Sequence, residues 1–205
     1  LRSMRTRELA YVIVPITSGK YLYELQIQQR GYFNKATQVE NAIAYNYQHG
    51  WSLVERLQDR LLCPVLYPAD LTPAHQQWEQ AHFQALWLSI IGEKCTELHM
   101  SDGWEYSNGC SEEFAHVMQL RLGIPRHKDL AFWNTKENEA RERARMKHIN
   151  IFDHEGAPIL LDQGIERIQQ ALSWMRSHSI PTKRLEDCMS LLLWTSEKMR
   201  EGFYQ

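Results

Sequence analysis

Ser101-Asp102-Gly103-Trp104-Glu105-Tyr106-Ser107-Asn108-Gly109-Cys110-Ser111-Glu112-Glu113-Phe114-Ala115 follows a strand-like run, Cys95 to Met100, and leads into a helix-like run, Glu112 to Leu122. A loop of small polar residues and glycines between a strand and a helix start is where open α/β sheets place ligands. On this reading Glu112 and Glu113 stand in the first helical turn. The helix dipole and free N–H groups there favour an ionised carboxylate, so a side chain that attacks as an anion is kept charged. Acidic residues also occupy that turn simply because they stabilise helices. Position alone therefore makes neither glutamate catalytic.

Working outward, Tyr11-Val12-Ile13-Val14-Pro15-Ile16 is a short apolar, β-branched run that fits a buried strand of a parallel sheet. Thr17-Ser18-Gly19 breaks it, and Lys20 to Arg30 continues as a short helix ended by Gly31. Strand, polar turn and helix make the first half of a βαβ unit. Ala36 to Leu62 is the longest helical pattern, with Gly50 as a point of interruption. Pro64 to Pro68 is the second strand. Thr72-Pro73 opens a helix running to Ile91, and Gly92 fits the position just past its end.

Gly123-Ile124-Pro125 closes the helix after the glutamates, and Leu130 to Trp133 is a fourth strand candidate. The mixed charges of Lys136 to Lys147 read as a solvated helix or linker. Ile149 to Leu161 reads as a final strand or hairpin around the turn Asp153-His154-Glu155-Gly156. Two helices follow, Gly164 to Ser177 and Lys183 to Phe203, either capping the sheet or forming a subunit interface. Alternating strands and helices predict an α/β fold, a flavodoxin- or Rossmann-like parallel sheet flanked by helices, with a helical C-terminal extension. The expected division is an α/β domain over 4–162 and a two-helix extension over 163–205.

The 205 residues, 43% of them hydrophobic, suffice for one full core. A net charge of −2 disfavours nucleic acid as the main partner. Cys63, Cys95, Cys110 and Cys188 form no C-x-x-C pair and read as reduced thiols. Leu1-Arg2-Ser3 ahead of Met4 reads as a cloning remnant, and no secretory segment or membrane-length apolar run is recognised. A cytoplasmic protein is expected. The string Asp153-His154-Glu155 is a turn, because consecutive residues do not converge on one ion; no metal or organic cofactor is expected.

Gly103-Trp104-Glu105-x-Ser107-x-Gly109-x-x-x-Glu113, followed by Ala115 and Gly123-Ile124-Pro125, resembles the nucleoside 2-deoxyribosyltransferase-like superfamily, above all its phage- and bacteria-associated members with a G-W-E-x-S-x-G loop. Tyr11-x-x-x-Pro15 is similar to the family's opening strand, so the resemblance runs from Tyr11 to Pro125. It implies that Glu113 is the nucleophile, Glu112 occupying a variable position. Family members that act on nucleosides tend to have Asp two residues before the Gly; those acting on nucleoside 5′-monophosphates have Ser, and this chain has Ser107. A hydroxyl donates to a phosphate oxygen where a carboxylate repels it. Two positions depart from the family pattern. Val14 replaces a Gly in the first strand. The helix before the third strand lacks the sugar-positioning Asp; His82 is the nearest polar candidate, with Glu79 behind it, and either one orients a ribose hydroxyl or that function is missing. The resemblance also implies a homodimer or higher homo-oligomer, because relatives complete their sites with a neighbouring subunit.

The expected chemistry is double displacement at an anomeric carbon. Glu113 attacks C1′, the base leaves with a proton from Asp102 if burial raises that group's pKa, and water hydrolyses the ester. Trp104 and Tyr106 are candidates to stack on the base. Thr17, Ser18 and Gly19 are candidates to hold phosphate at a helix start. Tyr11, Pro15, His82, Ser107, Asn108 and Gly109 complete the expected substrate contacts. The leading expectation is an N-glycosidase of (deoxy)nucleoside 5′-monophosphates. The alternatives are a nucleoside 2-deoxyribosyltransferase, a non-catalytic nucleotide sensor, and cleavage of the nicotinamide–ribose bond of NAD. His116 reads as a core or surface residue, and Cys110 has no basic partner near it in sequence to make it a nucleophile.

Overall fold

A computed structural model describes residues 8–29, 35–71, 79–121 and 148–201. Four parallel strands form the sheet: β1 (Leu9–Ile13), β2 (Val65–Leu66), β3 (Cys95–Met100) and β4 (Asn150–Phe152), in the order β2-β1-β3-β4. This is the flavodoxin-like arrangement. The chain leaves β1 toward β2 on one side and later returns to β3 on the other, so the β1/β3 boundary is the topological switch point. Every residue of β1 is buried, as a central parallel strand covered on both faces requires.

The alternation of β1 side chains sorts the two faces. Leu9, Tyr11 and Ile13 join the larger core, whereas Val12 packs with Leu53, Val54, Leu57 and Tyr67. Of these, Leu53, Val54 and Leu57 belong to α2 (Lys35–Gln58), which follows the short α1 (Lys20–Gln28), and Tyr67 follows β2. Gly50 does not break α2. A Cβ there would lie 2.4 Å from the Tyr67 hydroxyl oxygen and 2.6 Å from Val14 Cγ2. The glycine is space for Val14 and Tyr67 rather than a helix stop.

The helix α3 (Gln80–Lys94) contains Gly92 instead of ending at it. A Cβ at Gly92 would lie 3.6 Å from Leu120 Cδ1, in ordinary contact with α4 (Asn108–Arg121). The Asp153–Gly156 turn forms as expected: Asp153 Oδ1 accepts the Glu155 and Ala157 N–H groups, and the chain returns in an antiparallel bridge from Phe152 to Pro158. The helices α5 (Leu161–Ser177) and α6 (Lys183–Arg200) follow. Their Ile168, Leu172, Met175, Leu185, Met189 and Leu192 share one core with Tyr11, Leu98 and Phe114. Gly164 of α5 sits so close to the Phe114 ring that a Cβ would stand 2.1 Å from Cζ. The expected Thr72-Pro73 helix start, the Leu130–Trp133 strand, the charged run 136–147 and the turn at Gly123-Ile124-Pro125 lie outside the described residues. Among the described residues no helix is long and apolar enough to cross a membrane.

Candidate active site

Ser101 ends β3 by donating its N–H to the Ile13 carbonyl at 2.9 Å. Gly103 then takes a left-handed conformation (φ 73°), where glycine is favoured, and a single 3-10 turn spans Trp104–Tyr106. Ser107 follows in extended conformation, and its carbonyl accepts the Ser111 N–H at 3.0 Å. Ser107 is therefore the capping residue of α4, one turn earlier than the sequence pattern suggests. Glu112 and Glu113 fall in the second turn, and the first turn holds no acidic residue.

This overturns the expectation that the helix terminus keeps Glu113 ionised. Glu113 is buried, at 8% exposure. Burial, together with the neighbouring charge of Glu112, pushes its carboxyl up to about 8, against the opposing hydrogen bond from Tyr11. That bond runs from the Tyr11 hydroxyl to Glu113 Oε1 at 3.2 Å. It explains a tyrosine in the middle of a buried strand: on the face it shares with Leu9 and Ile13, Tyr11 ends at a carboxyl group. Burial, with Glu113 close by, also drives the Tyr11 phenol well above its usual range, so the phenol keeps its proton to donate.

Glu113 lines a cleft of about 620 Å³ at the carboxyl end of β1. The first turn of α4 (Asn108, Gly109, Cys110) forms one wall, and the segment after β1, with Thr17 and Ser18, forms another. The two walls meet where Ser18 Oγ donates to Ser107 Oγ at 3.0 Å. Asn46 of α2 fixes the Ser18 wall by donating its amide to the carbonyls of Ile16 (3.3 Å) and Ser18 (3.1 Å). The helix α3 contributes Phe83, Gln84 and Trp87, and Tyr67 closes the β2 side. Volume and mixed lining suit a small molecule with one flat apolar part and one polar part.

Six expected site residues fall elsewhere. Trp104 is 1% exposed and tilts against Phe114 with ring centroids 4.8 Å apart; it is core and has no face to offer a base. Tyr106 presents an edge to Trp174 at 5.4 Å, away from the cleft lining. Asp102 and Pro15 line a separate, smaller cleft of about 140 Å³. Asp102 is exposed, so the burial that an acid role demands is missing. His82 is exposed and its Nδ1 accepts the Glu79 N–H at 3.1 Å, capping α3. Gly19 serves the turn: at φ 105° it precedes α1, and a Cβ would press on Pro15 Cβ at 2.8 Å. Val14 lines both clefts, and its Cγ2 packs toward Gly50.

Cys110 lines the cleft with its thiol driven above the usual range by burial, which removes it as a nucleophile. His116 is buried and pairs with the Leu88 carbonyl at 3.2 Å, tying α4 to α3. The four cysteines are free thiols. Among the described residues no group of three or more His, Cys, Asp or Glu side chains could hold a metal ion.

Sequence reasoning missed Arg184. It reaches the cleft from α6 and bonds Glu112 Oε1 at 2.7 Å, 72 positions away in the chain. No local signal could have found it. Phe83 and Trp87 fall inside the helix predicted from Thr72 to Ile91; being partly buried and lining the cleft is a tertiary property that helical periodicity does not specify. No family model, curated protein or solved structure matches the chain.

Proposed function

We propose that the protein is an N-glycosidase that cleaves the base–sugar bond of a (deoxy)nucleoside 5′-monophosphate through Glu113. The observation that carries the reading is a buried carboxyl, Glu113, the one Asp or Glu among the described residues lining the cleft, held by Tyr11. In the reaction Glu113 attacks C1′ as the C1′–N bond breaks, the electron pair departing with the base. The Tyr11 bond engages Oε1 and leaves Oε2 for attack. Water then opens the glycosyl ester, its hydroxyl going to C1′ and its remaining proton neutralising the departed base through solvent, which returns the carboxylate and releases the sugar phosphate. Partly buried Trp87 and Phe83 supply apolar surface for the base. Ser18 gives its proton to Ser107, so the Ser107 O–H is the donor this pair supplies to an anion.

The nucleophile must be ionised, and at pH 7 a group of pKa about 8 is roughly one-tenth ionised. Activity under this reading rises with pH through 8. Chromatography of nucleosides and nucleotides incubated with the protein should show free base, and none with Glu113→Ala. Undiminished release by that variant refutes the mechanism. The same largely protonated carboxyl favours a second reading, a nucleotide sensor that binds without turnover. It predicts retained binding in Glu113→Gln and no base release by the wild type at any pH.

A further inference from the structure

Arg184 is the one Lys or Arg among the described residues lining the cleft, and Glu113 the one Asp or Glu. With Glu113 protonated, the formal charge of the described lining is positive. Arg184 is the second residue of α6, and its side chain is 56% exposed. One guanidinium nitrogen, Nη2, meets Glu112 Oε1 at 2.7 Å. An exposed pair of this kind contributes little to stability. It does orient the guanidinium, whose fixed fork of donors matches phosphate better than it matches one carboxylate oxygen.

The same cleft is lined by Thr17, Ser18, Ser107 and the first turn of α4. The N–H groups of Asn108, Gly109 and Cys110 lie upstream of the first α4 bond, from Ser111 to Ser107, so they have no acceptor within the helix. A cation, hydroxyl groups and the N-terminal amides of a helix thus line one cleft.

We infer that Arg184 is the phosphate-reading residue of this cleft, aimed by Glu112, and that it sets the preference for a phosphomonoester over the unphosphorylated molecule. This deepens the N-glycosidase reading and rests on it for the identity of the substrate. It gives the second helix of the C-terminal pair a part in specificity, and it assigns Glu112 as a positioning residue one place before the nucleophile.

The test measures binding by calorimetry in a Glu113→Gln background, where nothing turns over. The probes are the ribo- and deoxyribonucleoside 5′-monophosphates, their nucleosides, and inorganic phosphate. Arg184→Gln should weaken the preferred monophosphate about 10- to 100-fold, the loss typical of a charge-assisted contact, and leave its nucleoside within about twofold. Arg184→Lys should fall between. Glu112→Gln should weaken the monophosphate selectively while keeping the melting temperature. Equal losses for monophosphate and nucleoside, no loss for either, or a parent that binds monophosphate no better than nucleoside each overturn the inference. Circular dichroism confirms that each variant is folded. Base release by the wild type is scored separately. Its absence sinks the glycosidase reading while the binding ratios still decide the role of Arg184.

Discussion

Glu113→Gln should stabilise the protein at alkaline pH and leave it nearly unchanged at acid pH. The carboxyl lies at about 8 in the folded chain against 4.5 for a solvated glutamate. A folded-state value raised in this way means that the native state holds the proton more tightly than the unfolded chain. The neutral form is compatible with folding, so stability is intact below the unfolded value. It is lost as pH climbs from about 4.5 to about 8, after which both states are ionised and the loss levels off. A full shift of this size corresponds to about 5 kcal/mol at ~1.36 kcal/mol per unit, of which about 4 kcal/mol develops between pH 5 and pH 9. Glutamine mimics the protonated acid in shape and still accepts the Tyr11 hydroxyl, so it removes the titration without removing the contact. Melting curves at matched pH cancel every other titrating group common to both proteins. The gap in melting temperature should be small at pH 5 and widen to about 8–16 °C at pH 9. Wild-type and variant curves that run parallel across this range would show that Glu113 titrates normally, and the burial argument for the site would fail.

Tyr11→Phe removes the donor that partly offsets burial. The acid limb of kcat/KM for base release should move to higher pH, and an unmoved limb would mean that this hydrogen bond does not bear on the reacting group. Gly164→Ala gains about 1 kcal/mol of helix propensity yet forces a methyl group to 2.1 Å from Phe114 Cζ. Net destabilisation of about 1–3 kcal/mol is expected from urea unfolding, and a gain in stability would contradict the packing of α5 on α4. Trp104→Ala should lose about 3–5 kcal/mol of stability as a core truncation, whereas Trp87→Ala should weaken ligand binding with a much smaller stability loss. The reverse pattern, read by denaturation and calorimetry, would place the wrong indole at the cleft.

The sheet was legible because β-branched and apolar runs sit between turn residues. The Cys95 to Met100 strand is found with its ends as read, and Tyr11 to Ile13 falls inside β1. The start of α4 was misplaced because Ser107 and Ser111 both fit a capping position. Only the hydrogen bond from the Ser111 N–H back to Ser107 decides between them. That slip of one turn reversed the electrostatics inferred for Glu113. The candidate site was legible where the chain is local, at Ser107, Asn108, Gly109 and Glu113, which one loop and one helix bring together. It failed at Trp104, Asp102 and His82, because a side chain's direction after a left-handed glycine or at a helix cap depends on backbone angles that residue types do not specify. Gly50 misled because glycine marks a helix break in sequence, but a close neighbour in space calls for it equally well; Gly92 sits inside α3 with room for a Cβ, and nothing in the packing requires it.

Asn46 grips two carbonyls, those of Ile16 and Ser18, with one amide nitrogen. A strap fastened by a single rivet has no graded failure. Conversion of that amide to a carboxylate, the ordinary ageing reaction of asparagine, replaces a donor by an acceptor facing two acceptors, so both ties are released together. The hydroxyl that Ser18 lends to Ser107 would then be the tie left between the two cleft walls, without its brace on the neighbouring helix.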